Sequence, residues 1–222
     1  MAKQKDEFRH SIKIPPSTDS EPSDKRKIFE VNHFRQYDVA VEIINRALEE
    51  GTFKLRVSTI LSLHREAYLG ITPYAGAFRP GEVAIQGSNL RPPSPWLVPE
   101  LMEEMCDYVN DNWNTKAPLN LSAYTMWRLN WIHPFEEGNG TTARIISYVV
   151  LCIRLGLILP GIPTIPDLIA DNRKPYFNAL DAADMAFREE RIDVSLMEEL
   201  LSALLAKQLA SFYESDGGKL PE

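Results

Sequence analysis

Between Trp131 and Arg144 the sequence reads WIHPFEEGNGTTAR, and most of what is needed to handle a phosphate ester falls in that one stretch. His133 supplies a base near neutral pH. Glu136 and Glu137 supply carboxylates, one of which can hold Mg²⁺ beside phosphates. Pro134 fixes φ and stops the preceding helix, while Gly138 and Gly140 let the backbone turn tightly and approach a ligand. An apolar helix begins directly afterwards, so its unpaired N–H groups and positive dipole end face the loop, and phosphate is the usual guest of such a site. Arg144, one turn into that helix, can reach back to a phosphate. A base, a carboxylate, a glycine-built anion cradle and an arginine together describe phosphoryl or nucleotidyl transfer. A zinc pair of His133 and Glu137 does not fit, because Pro134 and the glycines forbid the helix it needs and no third ligand is near.

These residues resemble the Fic-domain signature H-x-F-x-[D/E]-G-N-G-R-x-x-R. His133, Phe135, Glu137, Gly138, Asn139, Gly140 and Arg144 match it, and Thr141 departs from it, standing where the family usually has arginine. The likeness extends to LHREAYLG, to GAFRPGEVAI ahead of a proline-rich turn, and to KPYFNALDAAD, so that Phe29 to about Tyr213 is similar to a Fic domain. The resemblance implies a protein adenylyltransferase that moves AMP from ATP to a Ser, Thr or Tyr hydroxyl. His133 would be the base, with Asn139 and Arg144 completing the catalytic set and Glu137 holding Mg²⁺. Gly138, Asn139, Gly140, Thr141, Thr142, Arg144, Tyr176 and Asp184 would surround the nucleotide, and Phe135 would plug the loop into the core. Val83 and Ile85 would form a flap on which a target protein docks by strand addition. Thr141 offers one neutral hydrogen bond in place of a charged fork, which weakens a phosphate contact by ~1.5–3 kcal/mol. The alternatives are a Fic-type transferase using another nucleotide donor, a phosphotransfer variant, and a decayed nucleotide-binding regulatory module.

An inhibitory segment of the family's pattern [S/T]-x-x-x-E-[G/N] is matched only in part. Ser17 to Glu21 is followed by Pro22, and Ser195 to Glu199 by Leu200. The expectation is that a separate inhibitor protein supplies it or that weak activity makes it unnecessary.

The elements that must position this chemistry are helical. Phe29 to Leu48 carries apolar residues at three- and four-residue steps, stopped by Gly51, and Val57 to Tyr68 forms a second stripe ended by Gly70. The glycine-rich stretch from Tyr74 to Gly87, with Val83 and Ile85 at period two, predicts a short β-hairpin. Further helices are expected over Leu97–Trp113, Leu121–Ile132, from Pro175, and from a Ser195/Glu198 capping box to Tyr213. Thr141–Leu155 is apolar on every side and reads as the buried central helix. The fold class is therefore all-α, a Fic-type bundle around a buried helix with one hairpin flap. Residues 1–27 and 215–222 read as tails flanking one domain over 28–214.

The chain has 222 residues, 44% of them hydrophobic, and a net charge of −7, which suits a globular domain and argues against a nucleic-acid face. It lacks an apolar run of the ~20 residues that span a bilayer, and no secretory signal is visible. Cys106 and Cys152 sit inside apolar helical patterns, so a reduced, cytoplasmic setting is expected, with self-association left open. His64 is expected to pack within its helix, and Tyr176 and Phe177 suit packing as well as a pocket.

Overall fold

In the computed structural model, which describes residues 10–13, 22–88 and 90–215, β1 (His10–Lys13) precedes α1 (Pro22–Glu50) and α2 (Val57–Tyr68). A short β2 (Val83–Gln86) and a 3-10 turn (Pro95–Leu97) lead to α3 (Val98–Asp111) and α4 (Pro118–Ile132). Then come α5 (Asn139–Leu155), α6 (Ile165–Asp171), α7 (Arg173–Arg188) and α8 (Ser195–Ser215). The all-α class holds, and the reason is the pattern of apolar residues at helical spacing.

The centre is a pair of helices rather than one. Met126, Trp127 and Leu129 of α4 are buried as completely as Ile146, Val149 and Val150 of α5. The two approach closely through small residues: the Ser122 and Ser147 hydroxyls lie 2.7 Å apart, and each donates at 3.0 Å to the other's carbonyl. The polar groups are thus satisfied inside an apolar core. Around this pair, α3 packs through Met102 and Met105 and through the Tyr108–Tyr124 ring stack at 3.9 Å. From α8, Met197 and Leu201 close the opposite side. α1 is held to α2 by buried amides, Gln36 donating to the Leu63 carbonyl at 3.0 Å and Asn32 to that of Leu69 at 2.8 Å.

Several sequence-based expectations need adjusting. The stretch from Tyr74 to Gly87 contains one strand, not a hairpin: β2 pairs antiparallel with β1, with Ser11 opposite Ile85 and Lys13 opposite Val83. Residues 74–82 are taken up by turns, and the Arg79 amide donates at 2.8 Å to the Pro134 carbonyl, so it does not face a strand. Both β1 and the first turn of α1 lie inside the stretch expected to be a tail. Ser17–Glu21 and residues 216–222 lie outside the described residues. α8 starts at Ser195 as expected but without the capping box, because Ser195 bonds Asp193 at 2.7 Å and Glu198 accepts from Asn120 at 2.6 Å. α6, of seven residues, is too short to carry a repeating apolar stripe. Its capping box, Thr164 with Asp167, is readable in the sequence, and Gln208 of α8 accepts the Ile165 amide at 2.8 Å.

Candidate active site

α4 ends at His133, which is in the left-handed region (φ 54°, ψ 55°), and the chain then turns through Pro134–Gly138 into α5. Pro134 cannot continue the helix, so the reversal falls on the histidine itself. His133 is buried, and its Nδ1 lies 3.2 Å from the Asn130 carbonyl. A carbonyl only accepts, so Nδ1 carries the proton and Nε2 is left as the basic nitrogen. Arg79 fixes the same turn from outside: its Nε donates to the His133 carbonyl at 2.8 Å and its Nη1 to Gly81 at 2.9 Å, with a further bond from Nη2 to Pro93.

The loop closes on itself through Asn139. Its Oδ1 accepts the Phe135 amide at 2.9 Å and its Nδ2 donates to the Phe135 carbonyl at 2.8 Å. Phe135 is fully buried and stacks face to face on His64 at 3.7 Å, the plug that the sequence suggests. Gly138 (φ 85°) must be glycine: a Cβ there would lie 2.2 Å from the Tyr68 ring. The first-turn amides of α5 point out of the helix start, and the helix dipole adds positive potential at the same place. Arg144 lies against this turn. A Cβ on Gly140 would sit 3.3 Å from its Nη1, and its Nη2 donates to Thr141 at 3.4 Å. Burial lowers the pKa of Arg144, a nearby Tyr176 opposes that, and the charge of Arg173 adds to it.

These groups face one cavity of about 390 Å³, within the range of small-ligand sites. His133, Glu137, Gly138, Asn139, Gly140, Thr141 and Arg144 line one side, all of them singled out from the sequence, and Ile85 and Tyr176 belong to the wall as well. Three expected residues do not. Asp184 is buried and accepts from Trp127 Nε1 at 2.9 Å, fixing α7 to α4. Thr142 is fully buried in α5, and Val83 is buried in β2, alternate to Ile85. Glu136 is off the cavity, accepting from Thr72 at 3.4 Å, whereas Glu137 is on it. No group of three or more potential metal ligands occurs among the described residues. A single carboxylate beside a helix start that favours anions fits Mg²⁺, which is usually held by one or two carboxylates plus substrate oxygens.

Several contributors were not legible as site residues. Phe29 of α1 and Arg173 of α7 line the cavity, and Tyr68 covers Gly138. His64 does more than pack: Nε2 donates to the Glu137 carbonyl at 3.0 Å and Nδ1 accepts the Gly76 amide at 2.9 Å. Burial pushes its pKa down to about 4, so the ring is neutral at pH 7. A polar residue on the otherwise apolar stripe of α2 was its only signal. Cys106 and Cys152 are buried thiols, pushed up to about 12 and about 11, consistent with a packing role.

Residues 54–151 match the Fic/DOC family, a span that holds α2 through most of α5 and the whole loop. The chain carries a Fic domain. Relatives named "Protein adenylyltransferase Fic" in Drosophila willistoni and Drosophila melanogaster are each 32% identical over 130 residues, covering 58% of this chain and 26% of theirs. The chain thus spans about a quarter of the length of the curated relatives it matches. Among solved structures, Fic-1 (aa 134–508) from C. elegans superposes with a TM-score of 0.67 at 20% identity, over 90% of this chain and 55% of that one. A Fic domain containing signalling protein from Bacteroides thetaiotaomicron gives 0.66 at 22%, over 93% and 78%. These two likenesses concern the fold. Among the described residues of this Fic domain, no helix is long and apolar enough to cross a membrane.

Proposed function

We propose that this Fic domain transfers AMP from ATP to a hydroxyl of a protein. The observation that carries the reading is His133 beside a helix-start anion cradle in one cavity, with its Nδ1 committed to a carbonyl. The relatives' name, protein adenylyltransferase, supports the same chemistry. In this reading His133 Nε2 takes the proton of the target Ser, Thr or Tyr hydroxyl. The oxygen attacks the α-phosphorus, the bond to the β-phosphate bridge breaks, and pyrophosphate leaves. The α5 amides and Arg144 meet the charge that develops on the phosphates. Tyr176 and Phe177, on the apolar part of the wall, suit the base. Glu137 would hold Mg²⁺, which when bound neutralises phosphate charge. The edge of β2 that β1 now occupies would suit an extended target segment once β1 is displaced, with Ile85 reaching the cavity.

Position 141 carries no charge, which favours a second reading in which the donor is a nucleotide other than ATP. Purified protein incubated with each α-labelled nucleoside triphosphate and a protein extract separates the two. AMP label on protein, lost in His133→Ala, supports adenylylation, and a general base contributes ~10²–10⁴-fold. Label from another donor only transfers the assignment to the second reading. No label from any donor refutes both and leaves a binding module.

A further inference from the structure

Position 141 has no charge to give a phosphate, and its hydroxyl is already engaged, accepting from Arg144 at 3.4 Å. The cavity nevertheless holds a second cation. Arg173 begins α7, and Tyr176, Phe177 and Leu180 follow it at three-, four- and seven-residue steps, one face of a helix laid along the cavity wall. That wall therefore runs from a guanidinium to aromatic and aliphatic surface, the polarity of a ligand with an anionic end and a flat apolar end. Arg173 Nε donates to the Ala170 carbonyl at 3.3 Å, which ties the stem of the side chain to the end of α6.

We propose that Arg173, from the first turn of α7, supplies the second phosphate-binding cation of this site in place of the charge missing at Thr141. The inference rests on reading the cavity as a nucleotide site, and it concerns the phosphates beyond the one nearest the α5 amides. Arg144 and Tyr68 both lie close enough to feel the charge of Arg173, and its effect on Arg144 is repulsive. Two guanidinium groups held together in a partly desolvated cavity oppose each other until a polyanion lies between them. The site should therefore discriminate by phosphate number. A triphosphate engages both arginines, whereas a monophosphate satisfies the α5 amides and Arg144 alone.

The test is calorimetric binding of ATP, AMP and inorganic tripolyphosphate without divalent ions, to the intact chain and to Arg173→Gln. Arg173 is half-buried in a first helical turn and glutamine has similar helix propensity, so the fold should survive the change. Expected is a loss of roughly ten- to a hundredfold for ATP and tripolyphosphate and less than about threefold for AMP. Adding Thr141→Arg to the variant should recover most of the ATP affinity, which a merely structural defect would not allow. Unchanged ATP binding, or an equal loss for AMP and ATP, overturns the proposal while leaving the nucleotide reading intact. Tripolyphosphate binding that depends on Arg173 in a protein that ignores ATP keeps the proposal and removes the ATP reading. A wild-type protein that binds none of the three overturns both.

Discussion

Replacing His64 with phenylalanine should destabilise the protein at pH 7 and flatten its response to acid. The ring is 1% exposed and uses both nitrogens, Nδ1 for the Gly76 amide and Nε2–H for the Glu137 carbonyl. Phenylalanine keeps the stack on Phe135 but leaves those two groups without a ring partner. A buried group stripped of its bond costs ~1–3 kcal/mol, so the expected loss at pH 7 is about 2–4 kcal/mol. The acid response follows from the pKa, lowered by burial from 6.5 to about 4 and partly restored by the bond to Glu137. Below pH 6.5 the unfolded chain takes up a proton at this site while the folded chain does not, so stability is lost as pH falls toward about 4 and is complete above 6.5. The slope reaches ~1.4 kcal/mol per pH unit and the total about 3 kcal/mol. Every other titrating group is shared with the variant, so the difference between the two proteins isolates His64. Urea unfolding of both, from pH 4.5 to 7.5, should give curves that converge toward acid. A difference that stays constant across that range, or a variant as stable as wild type at pH 7, refutes the reasoning.

Glu137→Ala should weaken Mg²⁺-dependent ATP binding by roughly tenfold or more, while Glu136→Ala leaves it nearly unchanged, because only Glu137 lines the cavity. Equal effects, measured by titration with and without Mg²⁺, reject that assignment. Gly138→Ala combines a positive φ with a Cβ 2.2 Å from the Tyr68 ring, so it should lower stability by ~1–3 kcal/mol and abolish nucleotide binding. An unchanged melting temperature would mean that Tyr68 does not cover the loop. Removing residues 1–13 frees the β2 edge, which β1 occupies. If targets dock there by strand addition, labelling of an extended peptide target should rise several-fold, and an unchanged rate places docking elsewhere.

The loop from His133 to Arg144 was legible in the sequence because its chemistry is local. Proline, two glycines and the start of an apolar helix determine the turn, and each functional group is carried within a few residues of it. The helices followed for a similar reason, since a repeat of three to four apolar residues has one good solution. The partner of β2 was not legible. A strand of four residues states that it needs a neighbour, but nothing in Val83–Gln86 says that the neighbour is His10–Lys13, seventy or more residues earlier. Asp184 illustrates the opposite error: its place in the chain suits a pocket, yet the helix rotates it onto the Trp127 indole. Arg79, His64 and Arg173 act on the loop or its cavity from three separate segments. Each looks like an ordinary polar residue in its own segment, because the carbonyl, amide or neighbouring charge it serves is assembled only when α2, α4, α5 and α7 pack together. Sequence by itself determined which reactive groups the loop carries and how its backbone turns. Tertiary packing decided which distant side chains hold that loop in place, because hydrogen bonds and charges act over a few ångströms of space, whatever the distance along the chain.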